Sequence, residues 1–205
     1  KHDVRNVWWI IDYNRQSLDA VMVERFSDRL ETVFRNLDWR VEILKYGRLL
    51  TAAFEKPGGD ALQQWIDSAE NSRYSALAYR GGAAWREELI RDLGDTHGIR
   101  TLLDEQDDEA LGRLMTNLGG HDLETVCNAF HAVPDDRPTC FIAYTIKGYG
   151  LPLAGHKDNH AGILTPDQMA TFQDQLGIAE GQEWDPYAGV ASPAEELQMF
   201  LDAVP

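Results

Sequence analysis

The stretch "TCFIAYTIKGYG", residues 139–150, decides the fold. From Thr139 to Ile146 it is apolar almost throughout, with no alternation of polar and apolar positions. A strand with one wet face alternates, whereas a strand covered on both faces by helices reads as a continuous apolar run. The spacing therefore predicts a buried strand of a parallel sheet. It ends on Lys147, and Gly148 and Gly150 follow, where the backbone can bend sharply and approach a ligand closely.

The same pattern recurs upstream in "VWWIID" (Val7 to Asp12), expected to be a second strand buried on both faces. It breaks at "DYNRQSLD" (residues 12–19), after which Phe26, Leu30, Val33, Phe34 and Leu37 recur at helical spacing. "WRVEILKYG" (residues 39–47) is a third strand ended by glycine, so strand, helix and strand suggest a βαβ unit with a right-handed crossover. The middle reads as helical. Asp60 is placed to cap a helix burying Leu62, Trp65 and Ile66, and Trp85, Leu89, Ile90 and Leu93 mark another. "DEQDDEA" (residues 104–110) opens a third, with acids favourable near its N-terminus, and Asp122 precedes a fourth stripe of Leu123, Val126, Cys127 and Phe130. "TPDQ" (165–168) and "SPAE" (192–195) both fit a capping box with proline at the first helical position. The fold class is α/β, a parallel sheet flanked by helices, with only three strands for this length.

Composition bounds the function. At 205 residues, 43% hydrophobic and 26% charged, the chain reads as one substantial globular domain. A net charge of −15 argues against a nucleic-acid partner, and no apolar run reaches the length of a membrane span. Cys127 and Cys140 sit within apolar patterns, which fits two thiols in a reducing cytoplasm better than a disulfide. The chain starts with Lys1 rather than methionine, which suggests a piece of something larger.

Ligands of open parallel sheets bind outside the carboxyl ends of the strands. That rule selects "DYNRQSLD" and "KGYG", both expected at one sheet edge. Asn14 offers an amide oxygen to a hard cation such as magnesium, although a lone asparagine is more often a turn residue. Lys147 offers positive charge to a phosphate or carboxylate, and reads equally as a solvated strand end. His160, on the following loop, is a residue type suited to proton exchange. His156 and His160 have H-x3-H spacing, but in a glycine-flanked loop that pattern does not read as a zinc site. Trp8, Trp9 and Tyr144 are expected in the core or at an interface, and the acidic run 104–109 on a solvated face. A nucleophile elbow, a P-loop and a dinucleotide fingerprint are all missing.

Three stretches taken together, "DYNRQSLD", "GGHDLETVCNAF" and "AYTIKGYGLPLAGHKDNHAG", resemble the thiamin-diphosphate domain of homodimeric, pyruvate-dehydrogenase-type 2-oxoacid dehydrogenases, within the transketolase superfamily. The likeness runs from about Val7 to about Gly162. It implies a partial thiamin-diphosphate-binding domain over 1–205, with its core at about 7–162 and a C-terminal helical extension at about 163–205. It implies that Asn14 ligates Mg2+, that the main-chain oxygen of Gln16 joins it, and that Lys147 lies near the cofactor, thiamin diphosphate. It further implies that His160 sits on a mobile loop and assists acyl transfer to a lipoyl arm.

The Gly-Asp-Gly segment that opens the family's diphosphate motif and the acid that activates the cofactor are not in this sequence, and Asp12-Tyr13 replaces more usual polar residues. The expected partners are thus the missing remainder of the enzyme or a companion chain, a second copy in a homodimer, and a lipoyl-bearing acyltransferase component. The alternatives are a transketolase-like enzyme acting on sugar phosphates and a non-catalytic α/β assembly subunit.

Overall fold

The computed structural model describes residues 5–17, 20–21 and 26–204, so Leu18 and Asp19 of "DYNRQSLD" lie outside the described residues. The backbone divides into two compact units, Lys1–Ala161 and Gly162–Pro205. The first holds a three-stranded parallel sheet in the order β1 (Trp8–Tyr13), β5 (Thr139–Tyr144), β4 (Arg40–Leu44). Two residue pairs, β2 (Gln16–Ser17) and β3 (Ala20–Val21), form a small antiparallel hairpin just after β1.

The last strand is central and every one of its residues is buried, as its unbroken apolar run predicts. Helix α1 (Phe26–Asn36) packs on one face and α8 (Leu123–His131) on the other. Alternate residues of β1 show the two faces: Trp8 meets Phe130 of α8 at 5.0 Å between ring centroids, and Trp9 meets Phe34 of α1 at 5.9 Å.

The expected strand–helix–strand unit is present as β1, α1 and β4, with β5 lying between its two parallel strands. One strand expectation needs correcting: the first strand is not buried on both faces, since Trp8, Trp9 and Ile10 are 43%, 57% and 56% exposed. The physical reason is its position. β1 is an edge strand, no described strand pairs with its outer side, and α1 and α8 cover only part of each face. Tyr144 is buried as expected.

Six further helices pack together between β4 and β5: α2 (Arg48–Phe54), α3 (Gly59–Ser68), α4 (Asn71–Arg80), α5 (Gly82–Leu93), α6 (Ile99–Asp104) and α7 (Asp108–Thr116). Their core centres on Trp85, which is fully buried and meets Tyr74 at 4.9 Å and Trp65 at 6.0 Å. Leu62, Ile66 and Leu89 are buried at the helical positions that the periodicity selects. Asp60 is not the cap of α3. Gly58, in the left-handed region at φ 87°, precedes the helix, and Asp60 stands inside its first turn. Asp107 caps α7 by accepting the Ala110 N–H, while Glu105 and Asp108 of the same acidic run pair with Lys56 and Arg86. Both cysteines are free thiols, Cys140 buried and Cys127 exposed.

In the second unit, α9 (Pro166–Gln175) has the expected capping box. Thr165 Oγ1 accepts the Gln168 N–H at 3.3 Å and Gln168 Oε1 accepts the Thr165 N–H at 2.9 Å. The box expected at Ser192 does not form. Pro193 keeps an extended ψ of 137°, so α10 (Ala194–Asp202) starts after it and the proline stands where the cap would be.

One segment closes the carboxyl edge of the sheet. Asn117 to Asp122 runs across the exits of β4 and β5, with Gly119 N donating to Lys45 O at 3.1 Å and Gly120 N to Tyr144 O at 2.9 Å. Both glycines are there for closeness. A Cβ on Gly119 would stand 2.5 Å from the Leu44 carbonyl, and one on Gly120 would stand 2.6 Å from Thr145 Cγ2. Gly119→Ala is expected to cost about 1–3 kcal/mol by overpacking. Urea unfolding checks this, with a lower midpoint and an unchanged slope.

Asp122 anchors the same segment. Its buried carboxylate caps α8 through the Thr125 N–H at 3.0 Å and accepts from the Arg48 backbone N–H at 3.2 Å and from Arg48 Nε at 3.0 Å. Burial pushes this carboxyl up, but the Thr125 and Arg48 bonds outweigh it and hold it well below the usual carboxylate range. A folded-state value below the unfolded one stabilises above the unfolded aspartate value and is lost as pH falls through the folded one. Asp122→Asn should therefore cost about 1–2 kcal/mol at pH 7. The gap to the wild type should shrink as pH drops below about 4, read by thermal melts across that range.

Candidate functional site

The parallel register places the ends of β1 and β5 side by side, with Tyr13 opposite Tyr144 and the Thr145 N–H donating to Tyr13 O at 3.2 Å. A side-chain bond from Thr145 Oγ1 to Asp12 closes the same corner. Asn14 and Lys147, far apart in sequence, thus leave the sheet at one edge.

Beyond β1 the chain makes a tight turn. Asn14 Oδ1 accepts the Gln16 N–H at 3.0 Å, so the asparagine is a turn residue as well as a candidate ligand. An amide oxygen has two lone pairs, and the second remains for a cation. Arg15 makes the turn possible at a cost: it sits at φ 63° in the left-handed region, which an L side chain rarely adopts. Its buried guanidinium lies 4.2 Å from the ring centroid of Tyr74 and 5.3 Å from that of Tyr144. Burial drives the Tyr74 hydroxyl up to about 12 against the opposing pull of Arg15. The tyrosine therefore stays neutral and its hydroxyl donates to Met115 O.

Beyond β5 the chain folds back on itself. Lys147 is half-buried, and its carbonyl accepts both Gly155 N–H at 3.0 Å and Asn159 Nδ2 at 2.8 Å. A run of turns fills the space between, with Gly148, Gly150 and Gly155 at φ 72°, 82° and 76°. Gln16 reaches across to this loop, Nε2 donating to Gly155 O at 3.2 Å. Asn14, Gln16, Lys147 and the loop are therefore one constellation.

The two loop histidines differ. His160 is exposed, next to the tethered Asn159. His156 is partly covered, its ring edge-on to Tyr79 at 4.6 Å, and its Nδ1 accepts the Asp158 N–H at 3.1 Å. Among the described residues no group of three or more histidine, cysteine or acidic side chains is arranged to hold a metal ion. What the site offers a cation is amide and carbonyl oxygen, the hard donor type that magnesium takes. Gln16 Oε1 and Asn159 Oδ1, both buried here, have no hydrogen-bond partner, so the edge carries spare acceptors beside Asn14 and Lys147. These oxygens are of the type that fits part of a magnesium shell, and further ligands would have to be supplied.

The sequence reading did not single out His121. Its Nε2 accepts the Ile146 N–H at 2.8 Å and its ring stacks on Tyr149 at 3.7 Å, 16° from parallel. Burial pushes its imidazole down, with Asp12 opposing. The available signal was the pair of glycines before it, which marks a close backbone approach.

No family model matches the chain. It is 30% identical over 196 residues to the pyruvate dehydrogenase E1 component of Corynebacterium glutamicum, covering 91% of this chain and 21% of that protein. The corresponding component of Pseudomonas aeruginosa is 29% identical over 179 residues, 84% of this chain and 20% of that protein. That of Cupriavidus necator is 27% identical over 208 residues, 97% of this chain and 23% of that protein. The chain spans about a fifth of the length of these curated relatives. The likeness first seen in three short stretches thus extends over nearly the whole chain, which is similar to one segment of these pyruvate dehydrogenase E1 components.

Proposed function

We propose that the chain forms part of a thiamin-diphosphate-dependent oxidoreductase that decarboxylates a 2-oxo acid, pyruvate by the names of its relatives, and passes the acyl group to a lipoyl arm. One observation carries the reading: Asn14, Gln16 and Lys147 meet at the carboxyl edge of a parallel sheet, in a chain whose relatives are named pyruvate dehydrogenase E1 components. In this reading Asn14 Oδ1 and the Gln16 carbonyl ligate Mg2+, and Lys147 supplies positive charge beside the diphosphate. When bound, thiamin diphosphate supplies the electron sink that decarboxylation needs. The protein residues bind, orient and exclude water, and exposed His160 moves a proton during acyl transfer.

The reading takes the chain as a partial diphosphate-binding domain, core 7–162, with a C-terminal helical extension. The remainder of the enzyme, or a companion chain, supplies the other ligands and the activating acid. A second copy and a lipoyl-bearing acyltransferase complete the set of partners. Among the described residues no strand pairs with the outer side of β1, where Trp8, Trp9 and Ile10 are exposed, which supports a further strand of the same enzyme packing there.

In the assembled enzyme, Asn14→Ala should weaken magnesium and cofactor binding together, because the lost oxygen belongs to the cation and the cation holds the diphosphate. A loss of roughly 10- to 100-fold is expected by calorimetry at limiting magnesium. Unchanged affinity would leave Asn14 with its turn alone. Turnover of a phosphorylated ketose in place of a 2-oxo acid would favour the transketolase-like alternative.

His160→Ala should leave the fold and cofactor affinity nearly intact. Acyl transfer to the lipoyl group should slow by about 10²–10⁴-fold, while decarboxylation read with an artificial electron acceptor falls far less. Equal loss in both assays points to a misplaced cofactor, and loss on His156→Ala instead moves the role to that residue.

A further inference from the structure

The exit of β5 is held by a side chain that the proposed reaction does not use. After Thr145 pairs with Tyr13, the next amide, Ile146 N–H, has no strand partner and points to His121 Nε2 at 2.8 Å. To accept there, the imidazole must be neutral with its proton on Nδ1. The ring also stacks on Tyr149 at 3.7 Å. His121 therefore grips the chain on both sides of Lys147, one residue before it through the backbone and two residues after it through a ring. Its own position is fixed by its neighbours, since Gly120 N donates to Tyr144 O and Asp122 caps α8. We propose that His121 is a positioning residue, which sets where Lys147 leaves the sheet and so where the loop anchored on the Lys147 carbonyl, with Asn159 and His160, is presented.

The alternative for such a group is a buried histidine that merely satisfies an orphaned amide. Stability alone cannot separate the two, but geometry predicts a division between variants. His121→Gln places an amide oxygen at the reach of Nε2 and retains the acceptor. His121→Phe retains a flat ring for Tyr149 and loses the acceptor. The role in turnover rests on the reading of Lys147 as a cofactor-side residue, whereas the tie itself does not.

The test uses the assembled enzyme and two measurements. Hydrogen-exchange mass spectrometry of the peptide spanning residues 144–149 should show about 10-fold faster exchange in His121→Phe and near wild-type protection in His121→Gln. In steady-state assays of 2-oxo acid turnover, His121→Phe should lower kcat by roughly 10- to 100-fold, as for a catalytic group displaced by about an ångström. Its KM should stay within about threefold, and His121→Gln should recover most of kcat. Equal protection in the phenylalanine variant overturns the proposal, as does faster exchange with kcat unchanged, or a glutamine variant as slow as phenylalanine. If the wild type shows no 2-oxo acid turnover, the proposed function falls, and the exchange measurement still decides whether His121 holds the exit of β5.

Discussion

Burial of all six β5 residues between two parallel neighbours is the constraint on which the rest of the structure depends. A strand so placed can exchange backbone bonds only in register, and the register brings Asp12 and Thr145 within hydrogen-bonding reach although they are 133 residues apart. Each loop that leaves the carboxyl edge is then launched from a fixed point. The hairpin after β1 and the loop after β5 start side by side, and Gln16 ties them directly. The cost of closing the long excursion from β4 to β5 is met by the helices within it, whose core around Trp85 is as well buried as the sheet.

What was legible in the sequence follows the strength of each physical signal. β5 was plain, because a continuous apolar run followed by Lys-Gly has few other uses in a soluble chain. The same pattern misled at β1. Apolar composition reports that a strand gains from burial, not that burial has been achieved, and Trp8, Trp9 and Ile10 gain only part of it. Helices α2 and α6 went unread because seven and six residues hold too little periodicity to register. α4 escaped for another reason. Its "NSRYSALAYR" is polar enough to pass for a loop, and it is recruited by Tyr74, which is buried beneath Arg15. The strand-end rule selected Asn14 and Lys147 as candidates and the resemblance added Gln16, and the loops that carry them leave the sheet at one edge. His121 was harder to read, because its partner is a backbone amide and only the glycine pair before it marks the close approach.

Arg15 links the helices to the site. Its left-handed backbone bends the chain between the two candidate ligands, and its guanidinium lies over Tyr74 of α4 and Tyr144 of β5. A strained residue persists where its surroundings over-determine it, and here two aromatic faces do so. The turn that carries Asn14 is thereby referenced to the helical core as well as to the sheet.

The outer side of β1 has a consequence of a colloidal kind. A strand edge that no described strand pairs with, on a strand carrying two exposed tryptophans and an exposed isoleucine, is a template for another strand, including that of an identical molecule. Opposing this is the chain's net charge of −15, which makes like molecules repel. The two forces differ in range. Backbone pairing acts at contact, while the repulsion reaches about 10 Å at 0.1 M salt and about 3 Å at 1 M. Added salt therefore screens the repulsion while leaving the contact attraction in place, so self-association through this edge is expected to rise with ionic strength.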